Sequence, residues 1–416
     1  MFKSKYVKNI LTLFSSAVFA QILALLFTPV LTRLYSPENF GMFTVFLSYS
    51  STLAIFLFLS SELAIVQSKT KRQFNGVLGV MLLISAIILS FLCVTIYLES
   101  DFYRLIGFDK LFKIKEVVIV GVVFAGLNLG LNQVITRNEQ FSIYAKSQVC
   151  FVLLRFIFSF LFFYFGITEY GLVFGFTIAT LLIVAYLTYK TRIYRERPNL
   201  CWSSLVITAR KYNQLILYNT PSNFLNMLLV NFPVFFILKN YGIEAAGFFG
   251  LAYRMIMLPV SLVNKAVGQV MYKRFTEMSG KPKHIFNFIV KNIVLLSASM
   301  PAFVIIYIFG EELFALVFGQ QWEQSGRFAS LLAPYIFFSF LVSPLSYYFV
   351  AYNKSRLLMA ISAFFLAFLI GLTLIIDIHS VQNFILYYSI VNICYYITVL
   401  LVIFMDIKRA KLNAEV

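Results

Sequence analysis

The sequence predicts an all-α polytopic membrane protein, with about twelve transmembrane helices arranged as two six-helix bundles. Three observations predict it. Apolar residues make up 61% of the 416-residue chain and charged residues only 12%; a soluble domain carries about 25% charged residues. Apolar runs near the ~20 residues needed to cross hydrocarbon recur along the whole chain. A short motif of the first half returns in the second half.

The first run, 10–31, follows Lys3, Lys5 and Lys8, as the core of a signal peptide would. It is longer than a signal-peptide core, and no small-x-small cleavage site follows, so it reads as a retained first span. The remaining spans are expected at 40–66, 76–98, 116–136, 149–166, 171–189, 215–238, 247–271, 291–309, 327–350, 357–376 and 384–405. No polar stretch is long enough to fold separately. The longest and most polar connection, 190–214, divides an N-terminal six-helix bundle, 1–189, from a C-terminal one, 215–416.

The formal charge of +17 does not mark a nucleic-acid binder. Basic residues sit in short clusters between apolar runs, not along one face of a folded domain. With the N-terminus inside, Lys and Arg favour the cytoplasmic side by about three to one, as the positive-inside rule requires. Both termini are therefore expected in the cytoplasm, and the expected location is the bacterial inner membrane. Cys93, Cys150 and Cys394 lie in apolar runs, where cysteine acts as a small hydrophobe, and Cys201 lies in the connection. No CxxC pair occurs, and His284 and His379 are isolated in expected loops. The sequence implies no disulfide framework, no metal site and no cofactor.

The echo between the halves is Tyr35-x-x-Glu38-x-x-Gly41-x-Phe43 against Tyr241-x-x-Glu244-x-x-Gly247-x-Phe249, with Pro29 and Pro233 before each copy. Each copy follows the first span of its half. Duplication is the preferred reading. Six spans per copy give both halves the same orientation, related by an axis along the membrane normal.

The segment Thr28–Phe43 (TPVLTRLYSPENFGMF) resembles the end of the first span in polysaccharide exporters of the O-antigen flippase (Wzx) type. That family belongs to the superfamily of MATE drug exporters and the lipid II flippase. Gly250–Pro259 (GLAYRMIMLP) and Phe314–Trp322 (FALVFGQQW) are similar to matching segments of its second half. The resemblance spans essentially the whole chain. It implies two six-helix bundles around a cavity, and an oligosaccharide repeat unit on undecaprenyl pyrophosphate as substrate. The implied protein is a monomer that makes and breaks no bond, works beside other polysaccharide-assembly proteins, and binds no nucleic acid.

Charges inside spans sharpen this. A charge at a helix centre costs roughly 2.5–3.5 kcal/mol on insertion scales and should face a cavity or a partner. Arg155, Arg254 and Lys265 lie inside expected spans. Arg254 and Lys265 are eleven residues apart, which returns to within roughly 20° of the same direction, with Pro259 between them. One reading is a cationic cavity lining for pyrophosphate, whose oxygens suit guanidinium forks. The other is snorkelling to the headgroups. Glu62, the only acid inside an expected span away from its first residue, reads as a proton-coupling carboxylate, as a partner of a base, or as a group reaching the interface. Amides form a second pattern: Asn219, Asn223 and Asn226 on one face of span 7, Asn128 and Asn132 on span 4, and Gln21 in span 1. Amides serve sugar hydroxyls in a wet cavity or bond helix to helix.

A flippase is the leading function. A MATE-type exporter of drugs or small molecules would want acids inside the spans, and a polysaccharide polymerase or ligase would want a large periplasmic loop with catalytic groups.

Overall fold

The computed structural model describes residues 2–97, 111, 113–278, 282–352, 354–376 and 378–415, and within these the side chains from 15 to 409 except Ile96. Arg104, Lys110 and Lys281, three of the bases in expected loops, lie outside the described residues.

Among the described residues no strand occurs, and twelve helices are long and apolar enough to cross a membrane. In order they are span 1 (Ser15–Leu34), span 2 (Pro37–Phe58), span 3 (Lys71–Thr95), span 4 (Lys115–Arg137), span 5 (Phe141–Tyr164) and span 6 (Gly171–Thr191). Span 7 (Leu215–Tyr241), span 8 (Ile243–Glu277), span 9 (Met300–Phe318), span 10 (Gln320–Ala351), span 11 (Ser355–Ile375) and span 12 (Val381–Arg409) follow. Apolar side chains on the outside, such as Leu374 and Ile375 at 81% and 85% exposure, fit a lipid solvent.

Four local features depart from expectation. Span 2 stops at Phe58, not 66, because Leu59 and Ser60 turn left-handed (φ 49° and 57°). L-residues tolerate that conformation singly but cannot propagate a helix through it. The chain goes on as a turn, Ser61–Leu63, and a short helix, Ala64–Gln67. Span 5 begins at Phe141, eight residues before the expected 149. The expected ninth span, 291–309, straddles two helices, Pro282–Ser297 and Met300–Phe318. The first ends in a tight turn, with the Ala298 amide donating to the Leu295 carbonyl at 3.3 Å and Ser299 to Leu296 at 3.1 Å. Pro301, which lacks an N–H, then sits in the first turn of the second helix, where that N–H has no partner to lose. Finally, the connection 190–214 contains a helix of its own, Trp202–Lys211.

The echo acquires a physical meaning. Glu38 and Glu244 are exposed in the first turns of spans 2 and 8, where a carboxylate favours the helix dipole. Phe43 and Phe249 are fully buried. The starts differ: Ser36 caps span 2 by accepting from the Asn39 amide at 3.3 Å, while Gly242 (φ +91°) leads into span 8. Tyr35 is buried and its hydroxyl donates to the Ser159 carbonyl of span 5 at 2.6 Å.

The chain divides into two compact units, Met1–Gly247 and Phe248–Val416. Span 7 and the first turn of span 8 therefore pack with spans 1–6. The expected halves, 1–189 and 215–416, rest on the echo in the sequence, which is a separate matter from this packing. Within the first unit, Gly41 and Gly247 meet. A Cβ on Gly41 would lie 1.9 Å from the Ile243 carbonyl oxygen, and one on Gly247 would lie 2.0 Å from that of Pro37. Pro37 and Ile243 are themselves equivalent in the echo, so the contact is reciprocal.

Backbone atoms cannot step aside as a side-chain tip can, so overpacking here should cost about 1–3 kcal/mol. Gly41→Ala is expected to lower the unfolding temperature in detergent. Gly371→Ala, where a Cβ meets nothing within 4 Å, is the control. Equal effects of the two changes would contradict this packing.

Candidate functional site

In the first unit the candidate residues lie on spans 1, 4, 5 and 7 and in the turn after span 2. Span 5 carries Arg155 some 20 Å along its axis from Phe141, at 1.5 Å per residue. The early start of span 5 makes this deeper than the sequence boundaries imply. The Arg155 guanidinium carbon lies 4.8 Å from the centre of the Phe43 ring. A guanidinium over an aromatic face gains about 0.5–2 kcal/mol, more as water is excluded. The echo motif thus supplies the surface on which this charge rests. Gln21 is half-buried on span 1, which packs along span 5.

The amides sort into bonded and exposed. Asn223 of span 7 donates to the Ser60 hydroxyl at 3.3 Å, a helix-to-helix bond across to the broken end of span 2. Asn226 is exposed. Asn219 is half-buried in the π-helical turn Leu215–Asn219 that opens span 7. Asn128 and Asn132 are half-buried on span 4, and the Asn132 Oδ1 is buried with no hydrogen-bond partner among the described residues.

Glu62 falls in the turn after span 2, outside the span in which the sequence placed it. Its Oε2 is buried without a hydrogen-bond partner among the described residues, and burial raises its carboxyl above the usual carboxylate range. The turn packs on spans 3 and 4 and on Leu215–Asn219, which brings Glu62 to the amide-bearing helices. Acids do occur inside the helical spans: Glu311 and Glu312 in span 9 and Asp406 in span 12. This corrects the reading of Glu62 as the sole intramembrane acid, and it follows from the boundary shifts in spans 2, 9 and 12. Glu311 pairs with Arg327 at 3.5 Å. Asp406 accepts from the Tyr348 hydroxyl and the Lys354 ammonium, each at 2.5 Å.

In the second unit Arg254 is half-buried and Lys265 exposed on the same continuous helix, which carries Pro259 between them. The residue before Arg254, Tyr253, stacks on Phe249 with ring centres 5.8 Å apart. Around it lie groups the sequence reading passed over. Tyr335 stands 5.5 Å from Tyr388 and 6.3 Å from Tyr396, and Ser339 donates to the Tyr396 hydroxyl at 3.0 Å. The signal was present as Tyr388, Asn392 and Tyr396 at successive i+4 positions. Such a spacing in an apolar run reads equally as core packing.

A second omission is Asn231, buried on span 7 and donating to Thr52 at 3.1 Å and Ser51 at 3.5 Å. It stands two turns beyond Asn223, off the 219–223–226 stripe. Tyr49 against Phe235 (4.7 Å) and Phe56 against Phe224 (4.9 Å) complete the seam between spans 2 and 7. Chemically, the groups described offer guanidinium charge, amides and aromatic hydroxyls, which suits holding an anion and a polyol.

Comparison with known proteins agrees with this architecture. Residues 30–327 match a family model described as polysaccharide biosynthesis protein. No curated protein matches the chain. Among solved structures, the fold is similar to the lipid II flippase MurJ in an inward closed conformation: TM-score 0.73, 16% identity, covering 96% of this chain and 90% of that one. It is similar also to an inward-facing multidrug resistance MATE family transporter of the MOP superfamily, with TM-score 0.71, 15% identity, and 96% and 95% covered. The Vibrio cholerae MATE transporter VcmN matches at TM-score 0.55 and 16% identity, with 98% of each chain covered. At such identities the likeness establishes the fold alone.

The span 2–span 7 seam is testable directly. Interhelical bonds in membrane bundles average about 0.6 kcal/mol, and leaving a buried partner unsatisfied costs about 1–3 kcal/mol. Asn231→Ala should lower the unfolding temperature in detergent, and Asn226→Ala should leave it unchanged. The reverse order would place the seam elsewhere.

Proposed function

The chain belongs to the polysaccharide biosynthesis protein family, and on that premise we propose that it is a flippase. Its proposed cargo is an undecaprenyl-pyrophosphate-linked oligosaccharide repeat unit, of O-antigen or a similar surface polysaccharide. It moves this lipid across the bacterial inner membrane by alternating access, with both termini in the cytoplasm. The observation that carries the reading is the placement of guanidinium groups well inside spans of both units, Arg155 and Arg254. Pyrophosphate brings about two negative charges and pairs of oxygens that arginine's planar fork engages bidentately. Lys265, exposed farther along span 8, is a further contact for the same group.

Gln21, Asn128, Asn132, Asn219 and Asn226 are the amides proposed for sugar hydroxyls. Asn223 shares that role only at the cost of its bond to Ser60. Glu62 is the proposed coupling carboxylate. Its buried, unbonded oxygen supports a group that takes up and releases a proton, and Glu62→Gln should flatten the pH dependence of transport.

A MATE-type exporter of cations is the second reading, favoured by Glu311, Glu312 and Asp406 inside spans. Against it, Glu311 and Asp406 are engaged with Arg327 and Lys354.

Deleting the gene in its host and analysing lipid-linked sugars tests the function. Accumulation of complete repeat units facing the cytoplasm is expected, and unchanged lipid intermediates with normal surface sugar would refute it. For the site, Arg254→Ala should cut export at an unchanged protein level, and Arg254→Lys should restore part of it. Full complementation by Arg254→Ala would reduce Arg254 to a snorkelling residue.

A further inference from the structure

The connection between spans 6 and 7 is folded, and it is not buried in the protein. Its helix, Trp202–Lys211, packs on span 3 through one face. On that face Leu205 is buried, and a Cβ on Gly79 would lie 2.2 Å from the Asn199 carbonyl oxygen and 3.1 Å from Leu205. The Asn199 amide donates to the Asn75 carbonyl of span 3 at 2.9 Å, and Lys71 pairs with Glu196 at 3.4 Å. These contacts hold the segment at the span 3 end that begins with Lys71.

The exposed part of the segment combines two chemistries. Trp202 and Ile207 of the helix are 72% and 67% exposed. Arg210 is exposed in the helix's last turn, and Arg192, Arg195 and Arg197 are exposed in the chain that leads into it. Glu196, the single acid between residues 190 and 211, already faces Lys71. The segment joins the end of one span to the start of the next, so it lies at the level of the membrane surface. Exposed Tyr189 and Tyr218 flank it at those span ends, where aromatic residues favour the interface.

Water alone suits the arginines but not the indole and the isoleucine. Hydrocarbon alone suits those two but not the arginines. The headgroup layer suits both, because an interfacial helix sinks its apolar side chains below the phosphates and keeps its charges among them. Positive charge without matching acid then selects anionic headgroups. We infer that the 190–211 segment is a membrane-surface element that docks on anionic phospholipid headgroups, with Trp202 and Ile207 inserted at the acyl boundary and the four arginines on the phosphates. This goes beyond the proposed transport activity and does not depend on it. The positive-inside rule explains the sign of the charge but not the apolar face beside it or the fixed docking on span 3.

The chain contains two tryptophans, and the other, Trp322, is fully buried. The fluorescence difference between the native protein and Trp202→Phe therefore isolates Trp202. The full chain is reconstituted in vesicles that hold equal fractions of phosphatidylglycerol and phosphatidylcholine, with one or the other brominated. Brominated phosphatidylglycerol is expected to quench Trp202 more strongly than brominated phosphatidylcholine. High salt should weaken that preference, and replacing the four arginines with glutamine should abolish it while quenching by both lipids remains. Equal quenching by the two lipids in the native protein would overturn the inference. So would absence of quenching by either, or a preference that survives the glutamine substitutions.

Discussion

The starts of spans 2 and 8 touch backbone to backbone at Gly41 and Gly247, and much of the candidate chemistry is arranged from that contact. Each glycine faces the carbonyl at the other copy's equivalent position, Pro37 or Ile243. A side chain at either position would push the helix starts apart. Two residues beyond each glycine comes the buried phenylalanine of the motif. Phe43 carries the Arg155 guanidinium, and Phe249 stacks on Tyr253, the neighbour of Arg254. The recurring motif therefore does more than mark two halves. In the first unit its phenylalanine carries an arginine inside a span, and in the second its phenylalanine stacks on the residue before one.

Lipid makes this costly, because a polar group inside hydrocarbon needs a partner or a wet face. The seam of spans 2 and 7 meets the requirement with Asn231 on Thr52 and Asn223 on Ser60. Asp406 meets it with Tyr348 and Lys354, and Glu311 with Arg327. Those groups are accounted for by structure alone. The buried oxygens of Glu62 and Asn132 are not; Glu62 lies in the turn that packs on spans 3 and 4 and on the opening turn of span 7, and Asn132 lies on span 4. A transporter has reason to leave polar groups in reserve where a substrate or a proton must be held and then released.

The order of the spans was legible in the sequence because each is a long apolar run, and the echo was legible because four residue types recur at fixed spacing. Helix ends were less so. Hydropathy runs straight through Leu59 and Ser60, and only their backbone conformation reveals that span 2 ends there. Pro301 reads from sequence as a kink inside a span, yet it opens a new helix, and that shift carries Glu311 and Glu312 into span 9. The arginines stood out because charge is rare in such a chain. The tyrosines near Tyr253 did not, since aromatic residues are everywhere in it. Nor does the sequence separate the phenylalanines that build the core, such as Phe43, Phe46, Phe249 and Phe275, from exposed ones such as Phe91 and Phe364. The linker helix escaped notice because a ten-residue segment with two serines and two bases resembles a loop.

The central claim is that an anionic lipid-linked saccharide crosses the membrane through this protein. The purified chain, reconstituted in vesicles loaded on one side with undecaprenyl-pyrophosphate oligosaccharide, tests it through the accessibility of the sugar to an impermeant glycosidase on the other side. The account predicts that sugar becomes accessible with the native protein and much more slowly with Arg155→Ala or Arg254→Ala. Sugar that stays inaccessible in vesicles whose protein does transport an organic cation would contradict it.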